Sequence, residues 1–505
     1  MSSEESSSSD ESTGLHQKIG LWGGLAIALL VLLFADIDPA RPGITRTAAV
    51  AVLMSVWWIT DALPLAVTSL LPLVLFPVLG IMTAKDVATK YFDDVICLYL
   101  GGFLVAIAME RWNLHRRIAL RILLWFGLKP RMLLLGFMVA TGFISMWISN
   151  TATAMMMVPI GIAILLKLDE IAGGGIVKRY GAALLLGIAY ASSIGGIATP
   201  VGTPTNMVFF GIYGKQFPNA EPISFMQWAS FATPLAVAMM LAAWGILTIF
   251  FRLTQNLGTI DETIIRREYD ALGPMTWPQK VVAIDFAILA LLWITRSNID
   301  EIGFKGWGSL FPDKKFLSDG TAAMALSIPL FLIPSRSAGS RRILEESAIE
   351  KIPWGVVLLF GGGFALAAAF ESSGLSLWVG ERMSGLRDVH PMIIVFGVCT
   401  VVTFLTELTS NTATAQVVLP IFAANASAMG FNPILFMIPA AISSSLGFML
   451  PVGTPPNAIV FGTRRVNMQD MVRVGFIINI AGILLTTLVI WLLAPAVFGI
   501  SLSAK

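Results

Sequence analysis

Two short polar triplets interrupt long apolar runs of this sequence. The first consists of Ser149, Asn150 and Thr151 in ISMWISNTATAMMMVP, and the second consists of Ser410, Asn411 and Thr412 in LTELTSNTATAQVVLP. Hydroxyl and amide groups within an apolar membrane segment must be satisfied by neighbouring protein or by a ligand. These two SNT triplets are therefore the first candidates for a binding site.

A second pair of motifs reads VGTPTN at 201–206 and VGTPPN at 452–457. Proline cannot donate a hydrogen bond within a helix and glycine permits unusual backbone angles, so both motifs predict a broken helix. Unwound backbone at membrane depth occurs only where it is buried in protein or lines a cavity. Its free carbonyls, together with hydroxyl and amide oxygens, are suitable ligands for a hard cation such as sodium.

The paired motifs belong to an internal repeat. Ser149 and Ser410 are 410 − 149 = 261 residues apart, and Gly202 and Gly453 are 453 − 202 = 251 residues apart. A lone serine or threonine in a membrane helix usually bonds to its own backbone. The recurrence of both motifs in both copies favours binding instead, and two copies are typical of a pseudo-symmetric transporter.

The composition indicates an integral membrane protein. The chain has 505 residues, of which 56% are hydrophobic and 13% are charged, and its apolar runs are about 17 to 25 residues long, the length that spans a bilayer. The net charge of +2 gives no indication of a nucleic-acid partner. Cys97 and Cys399 lack CxxC spacing, so we predict buried packing residues rather than a disulfide or a metal site.

The expected fold is an all-α polytopic membrane protein with about eleven transmembrane helices and two repeats, each containing a re-entrant hairpin and a broken helix. The predicted segments are an acidic, serine-rich disordered tail at 1–14, a first transmembrane helix at 15–44, repeat 1 at 45–251 with its hairpin at 133–166 and its broken helix at 181–213, a cytoplasmic connection at 252–280, repeat 2 at 281–495 with its hairpin at 391–426 and its broken helix at 433–462, and a C-terminal tail at 496–505.

The arrangement of positive charges predicts the orientation. Most basic residues of the short loops fall on one side if the N-terminus is cytoplasmic and each hairpin enters and leaves on the same side; Arg382 and Arg387 are exceptions. The two repeats then have inverted orientations.

The four motifs contain no Lys or Arg. A bound anion would therefore be neutralised by co-bound cations and by the partial positive charge of helix N-termini. Glu407 lies three residues before the second triplet, but its counterpart is Met146, so a local salt bridge or hydrogen bond is expected for it rather than symmetric ligation. The glycine-rich stretches 100–103 and 361–364 predict close helix packing.

With these motifs in this order, the chain resembles the divalent anion/sodium symporter family, which includes INDY-type dicarboxylate carriers. The resemblance covers nearly the whole chain after the tail. It implies sodium-coupled symport of C4-dicarboxylates such as succinate, malate and fumarate. It also implies a homodimer in the lipid bilayer, in which a transport domain moves as an elevator against a scaffold domain.

The resemblance also implies the ligands. The first sodium site would comprise Ser145, Ser149, Asn150 and the backbone at Gly202. The second would comprise Thr406, Thr409, Asn411 and the backbone at Gly453. The substrate would contact both SNT triplets together with Thr203, Pro204, Thr454 and Pro455.

Two alternatives remain. A proton-coupled carrier or an exchanger of di- or tricarboxylates or other divalent anions would share the fold, and Glu407 is the titratable residue nearest to the motifs for a proton relay. An enzyme is not expected, because His16, His115 and His390 all lie far from the motifs in sequence. No cofactor is expected apart from co-transported sodium, and the expected location is a bacterial inner membrane.

Overall fold

The computed structural model describes residues 4–127, 129–172, 174–253, 263–298, 304–312, 316–382 and 389–502. The helices of repeat 1 and the segment before it are α1 (Glu4–Phe34), α2 (Pro42–Thr60), α3 (Leu65–Thr68), α4 (Leu71–Val78), α5 (Ala84–Ala88), α6 (Asp94–Arg111), α7 (Leu114–Phe126), α8 (Pro130–Ser145), α9 (Asn150–Ala172), α10 (Gly174–Ile197), α11 (Pro204–Gln216) and α12 (Phe225–Phe250).

The remaining elements are α13 (Thr263–Asp270), α14 (Trp277–Thr295), α15 (Asp319–Ser327), β1 (Pro334–Ser337), β2 (Ser340–Arg342), α16 (Ser347–Glu350), α17 (Trp354–Ser373), α18 (Leu375–Arg382), α19 (Pro391–Thr406), α20 (Asn411–Ala428), α21 (Ile434–Ser443), α22 (Pro455–Gly462) and α23 (Met468–Phe498). Strands β1 and β2 pair in an antiparallel hairpin, and short 3₁₀ turns lie at Thr89–Tyr91, Trp307–Leu310 and Ile328–Phe331.

The prediction of an all-α polytopic membrane protein is confirmed. Within the described ranges, nine helices are long and apolar enough to cross a membrane. Helices α8 and α19 have 16 residues each and span roughly 24 Å at 1.5 Å per residue, less than the ~30 Å hydrocarbon core. They are therefore suited to be hairpin arms, and the total of eleven crossings stays a prediction.

Both predicted hairpins consist of two helices that meet at an SNT triplet. In the first hairpin, α8 ends at Ser145 and α9 begins at Asn150. In the second, α19 ends at Thr406 and α20 begins at Asn411. The chain therefore reverses direction at each triplet.

Both predicted broken helices are also interrupted at their GTP motifs. The first runs as α10, an unwound stretch over 198–203 and α11, whereas the second has a longer unwound stretch over 444–454 between α21 and α22. Pro204 and Pro455 each occupy the first helical position, where the missing N–H costs no intrahelical hydrogen bond. Each proline therefore restarts its helix after the break.

Three segments have local structure that the paired motifs do not predict. Helix α1 begins at Glu4, within the segment 1–14, and the disordered tail stays a prediction. The apolar stretch 63–81 of repeat 1 contains two short helices, α3 and α4. The apolar stretch 319–335 of repeat 2 contains α15, a 3₁₀ turn and the start of β1.

The two repeats interlock around the helix breaks. Helix α10, whose apolar core is completely buried, packs against α8, α9, α12 and α22. Helix α11 of repeat 1 packs against α20 of repeat 2, and α22 of repeat 2 packs against α9 of repeat 1. Each broken helix thus contacts the hairpin of the opposite repeat.

The glycine-rich stretches pack closely, as predicted. A methyl group on Gly101 would lie 2.6 Å from the Ala323 backbone, and one on Gly362 would lie 2.6 Å from the Ser69 carbonyl oxygen. Cys399 is buried, but Cys97 is half-exposed, so the prediction of two buried cysteines is correct only for Cys399.

Two arginines, Arg117 on α7 and Arg111 at the end of α6, bind residues from the second half of the chain. Arg117 donates to Gln279 Oε1 at 3.1 Å and to the Gly273 carbonyl at 2.8 Å. Arg111 pairs with Glu345 at 2.8 Å. The Arg111 hydrogen bond, followed by that from the Arg341 N–H, lowers the pKa of Glu345 to about 2.

Candidate cation and anion site

The first oxygen cluster lies at the tip of the α8–α9 hairpin. The hydroxyl of the buried Ser145 is 2.7 Å from Asn150 Oδ1 and 2.6 Å from the Ser192 carbonyl oxygen, two acceptors that share its single proton. A methyl group on Gly202 would lie 3.0 Å from the Met146 carbonyl oxygen. The structure thus brings Ser145, Asn150 and the Gly202 backbone together.

The second cluster repeats this arrangement at the α19–α20 hairpin. The Thr406 hydroxyl is 2.7 Å from Asn411 Oδ1 and 2.8 Å from the Ser444 carbonyl oxygen. In the opposite amide orientation, Asn411 would donate to the Gly453 carbonyl at 3.2 Å, to the Ser444 carbonyl at 3.0 Å and to Thr406. The oxygens of Thr406, Ser444 and Gly453 therefore all lie close to the Asn411 amide. Their partial negative charges repel one another, and either an N–H donor or a cation between them reduces this repulsion.

Two predicted ligands have different contacts. The Ser149 hydroxyl accepts a hydrogen bond from the Ala152 N–H at 3.2 Å, within the first turn of α9. The Thr409 hydroxyl donates within its own hairpin, 3.0 Å from the Leu405 carbonyl, and lies 2.5 Å from the Thr414 hydroxyl. Both hydroxyls form hydrogen bonds inside their hairpins, and each oxygen keeps a lone pair that is available to a cation.

Four helices begin at the predicted substrate residues. Helices α9 and α20 begin at the two asparagines of the triplets, whereas α11 and α22 begin at Pro204 and Pro455. Thr203 and Thr454 precede these prolines in extended conformation, and both are buried. Unpaired N–H groups at helix N-termini attract carboxylates.

The six residues of the SNT triplets are all half-buried. Thr151 and Thr412 lie in the first turns of α9 and α20, beside the asparagines of the oxygen clusters. The triplets thus combine groups that suit a cation with N–H groups that suit an anion.

A compensating pair of differences explains why Glu407 has no acidic counterpart. In repeat 1, the Thr199 hydroxyl of the unwound stretch donates to the Met146 carbonyl of the hairpin. In repeat 2, the equivalent positions are Leu450 (199 + 251) and Glu407 (146 + 261), and Glu407 Oε2 accepts from the Leu450 N–H at 3.1 Å. In each repeat, therefore, one polar side chain links the hairpin to the unwound stretch. This side chain belongs to the unwound stretch in repeat 1 and to the hairpin in repeat 2.

Glu407 makes further contacts within repeat 2. Its Oε1 accepts from the N–H groups of Phe448 at 2.7 Å and Met449 at 2.8 Å, and from Asn479 Nδ2 of α23 at 2.6 Å. The expected local role is thus a hydrogen-bonding one, and the partner side chain Asn479 lies 72 residues away in sequence.

A hydrogen bond also joins the repeats directly. The hydroxyls of Thr205 on α11 and Ser445 in the second unwound stretch are 2.6 Å apart, and both residues are buried. The counterpart of Thr205 is Pro456 (205 + 251), so this link has no equivalent on the other side. It connects the first broken helix to the residue next to Ser444, whose carbonyl belongs to the second cluster.

The sequence is similar to those of known transporters. The family model described as "Sodium:sulfate symporter transmembrane region" matches residues 18–502. The sodium-dependent dicarboxylate transporter SdcS of Staphylococcus saprophyticus is 41% identical over 502 residues, covering 98% of this chain and 94% of the relative. SdcS of Staphylococcus aureus strain MRSA252 is 41% identical over 498 residues, covering 97% and 94%.

Two solved transporters have a similar fold. Neisseria gonorrhoeae MtrF aligns with a TM-score of 0.57 at 15% identity, covering 85% of this chain and 86% of that one. Alcanivorax borkumensis YdaH aligns with a TM-score of 0.56 at 15% identity, covering 85% and 89%. At this identity the similarity concerns the fold alone.

Proposed function

The chain belongs to the sodium:sulfate symporter family, and we propose that it is an integral membrane transporter that couples the movement of C4-dicarboxylates, such as succinate, malate and fumarate, to sodium ions. The observation that carries this proposal is the duplicated oxygen cluster at the hairpin tips. Each cluster combines a hydroxyl, an asparagine and an unwound glycine.

The proposed sodium ligands are those the resemblance implies. Site 1 would use Ser145, Ser149, Asn150 and Gly202, and site 2 would use Thr406, Thr409, Asn411 and Gly453. In support, these oxygens are neutral, so a sodium ion brings net positive charge that would attract a carboxylate. The substrate would lie between the two triplets, at the four helix N-termini.

The proposal favours sodium coupling over proton coupling because of the surroundings of Glu407. Its carboxylate faces four donors, namely three backbone N–H groups and the Asn479 amide. An ionised carboxylate accepts all four hydrogen bonds, whereas a protonated acid would place a hydroxyl proton against an N–H. Glu407 is thus arranged as a fixed structural acceptor rather than as a proton carrier.

Three further features are part of the proposal. The transporter would be a homodimer in a bacterial inner membrane, its N-terminus would be cytoplasmic, and the interlocked hairpins and broken helices would move together as an elevator. The contacts of α11 with α20 and of α22 with α9 support their movement as one body. The proposal includes no enzymatic reaction and no resident cofactor.

Uptake of labelled succinate into proteoliposomes tests the function. We expect uptake under an inward sodium gradient and none under a proton gradient alone. Asn150→Ala and Asn411→Ala should each abolish sodium-driven uptake while the purified protein elutes as the wild type does. Sodium-independent uptake by the wild type would refute sodium coupling, and would support the alternative of a proton-coupled carrier or an exchanger.

A further inference from the structure

We propose that Asn206 and Asn457, the last residues of the two GTP motifs, are positioning residues that fix the carbonyl geometry of the two sodium sites without binding sodium. This inference rests on the proposed sodium coupling. It concerns side chains that lie outside the expected ligand sets.

In repeat 1, the Asn206 amide binds backbone carbonyls at the point where α10 ends and the unwound stretch begins. Its Nδ2 donates to the carbonyls of Gly196 at 3.1 Å, Ile197 at 3.2 Å and Thr199 at 2.8 Å. Asn206 is completely buried. One amide group therefore binds three carbonyls within four residues, two at the C-terminal end of α10 and one in the unwound stretch.

The carbonyls held by Asn206 adjoin the first oxygen cluster. A methyl group on Gly196 would lie 2.5 Å from Asn150 Oδ1 and 3.1 Å from the Gly202 carbonyl oxygen. The Thr199 hydroxyl donates to the Met146 carbonyl and accepts from the Gly202 N–H at 3.1 Å. By holding residues 196 and 199, Asn206 sets the position of the Gly202 backbone relative to the hairpin tip.

Repeat 2 contains the same brace. Asn457 Nδ2 donates to the carbonyls of Gly447 at 2.9 Å and Leu450 at 3.0 Å, the positions equivalent to 196 and 199 by the offset of 251. A methyl group on Gly447 would lie 3.6 Å from both Asn411 Oδ1 and the Gly453 carbonyl oxygen. The brace is therefore preserved although the second unwound stretch is longer and is also held by Glu407.

The two asparagines share one further property. The Oδ1 atoms of both are buried and accept no hydrogen bond from the described residues. Burying an unpaired acceptor is unfavourable, and these residues retain it in both repeats while their amide hydrogens bind carbonyls. Donation from Nδ2 is thus the interaction that both sites maintain.

Positioning predicts a specific kinetic signature. Without the brace, the carbonyls must be ordered by sodium itself, so sodium affinity falls while transport at saturating sodium is retained. The variants Asn206→Leu and Asn457→Leu remove the donors at similar side-chain volume, and Asn206→Ala and Asn457→Ala provide a second pair if leucine prevents folding. We expect each to raise the half-saturating sodium concentration up to about tenfold, which corresponds to the loss of one hydrogen bond.

Asn425→Leu and Asn425→Ala are the matched controls. Asn425 is also buried with an unpaired Oδ1, but it lies near the far end of α20, roughly 20 Å along the helix from the SNT tip. The readouts are the sodium dependence of succinate uptake, the maximal rate at saturating sodium and the melting temperature of the purified transporter.

Three results decide the inference. A raised sodium requirement with a maximal rate within about twofold of wild type, seen for Asn206 and Asn457 but not for Asn425 variants, supports positioning. An unchanged sodium requirement, or an equal rise in the Asn425 controls, overturns it. Wild-type uptake that does not depend on sodium refutes instead the proposed function on which the inference rests.

Discussion

Replacing Glu407 by glutamine tests whether this carboxylate fixes the backbone of the second proposed cation site. Its four donors are the N–H groups of Phe448, Met449 and Leu450 and the amide of Asn479, at 2.6–3.1 Å. Glutamine has almost the same shape but supplies one acceptor oxygen and one NH₂ group. Whichever way the new amide turns, its NH₂ faces at least one N–H donor.

The size of the effect follows from that mismatch. If the glutamine oxygen replaces Oε1, three contacts are kept and the NH₂ group faces the Leu450 N–H, leaving a buried donor unsatisfied at a cost of ~1–3 kcal/mol. Gly453 lies close to this carboxylate, because a methyl group on Gly453 would lie 3.2 Å from Glu407 Oε2. The unfavourable contact of the new amide therefore disturbs the glycine backbone that belongs to the second oxygen cluster. We therefore expect the half-saturating sodium concentration to rise by about 5- to 150-fold.

The assay is sodium-titrated succinate uptake in proteoliposomes, with Glu371→Gln as the control because Glu371 is exposed near the end of α17. A Glu407→Gln transporter with a wild-type sodium curve would refute the structural role of the carboxylate. Uptake by the wild type under a proton gradient alone, lost in Glu407→Gln, would instead identify Glu407 as a proton carrier.

Three further predictions concern the links around the site. Thr205→Val and Ser445→Ala should each lower the free energy of unfolding by ~0.5–1.5 kcal/mol. Because both variants remove the same hydrogen bond, the double variant should be no less stable in thermal unfolding than either single variant. Gly202→Ala should abolish uptake because its methyl group would lie 2.5 Å from a backbone carbonyl oxygen, whereas Gly453→Ala, with 3.2 Å to a side-chain oxygen, should retain part of it; equal losses in the uptake assay would contradict this order. The pKa of Glu345 is lowered to about 2 in the folded protein, so its ion pair stabilises the fold above the ordinary carboxyl pKa, and this stabilisation is lost as the pH falls towards 2. Glu345→Gln should therefore make the melting temperature less dependent on pH between about pH 5 and 3. An unchanged slope of melting temperature against pH would show that the pair does not stabilise the fold.

Local signals in the sequence were sufficient to predict the hairpins and helix breaks. Prolines 204 and 455 cannot continue a helix, and polar triplets in apolar runs need partners, so both features follow from a few residues each. Their duplication then predicted that the two halves would form similar structures. The structure brings Asn150 beside Ser145 and Asn411 beside Thr406, and their roles as ligands stay predictions.

The bracing interactions could not be predicted in the same way because they depend on tertiary geometry. The repeated asparagine at the end of each GTP motif was visible as Asn206 and Asn457, but only the path of the unwound backbone shows which carbonyls these amides reach. The link between Glu407 and Asn479 joins different helices and has no counterpart in the first repeat. Sequence symmetry therefore identifies equivalent positions but not compensating exchanges between them.

The different positions of the polar side chains, Thr199 in repeat 1 and Glu407 in repeat 2, lead us to expect different sodium affinities at the two proposed cation sites. Both are built from neutral oxygens, but the carboxylate of Glu407 lies beside the second unwound stretch, whereas Thr199 contributes only a hydroxyl to the first. A fixed negative charge near a buried site favours a cation there, and low dielectric strengthens the attraction. We expect sodium to bind the second site more tightly, so sodium-dependent protection against thermal unfolding should show two phases without substrate. The phase at lower sodium should disappear in Glu407→Gln and persist in Gly202→Ala; its loss in Gly202→Ala alone would reverse the assignment of the tighter site.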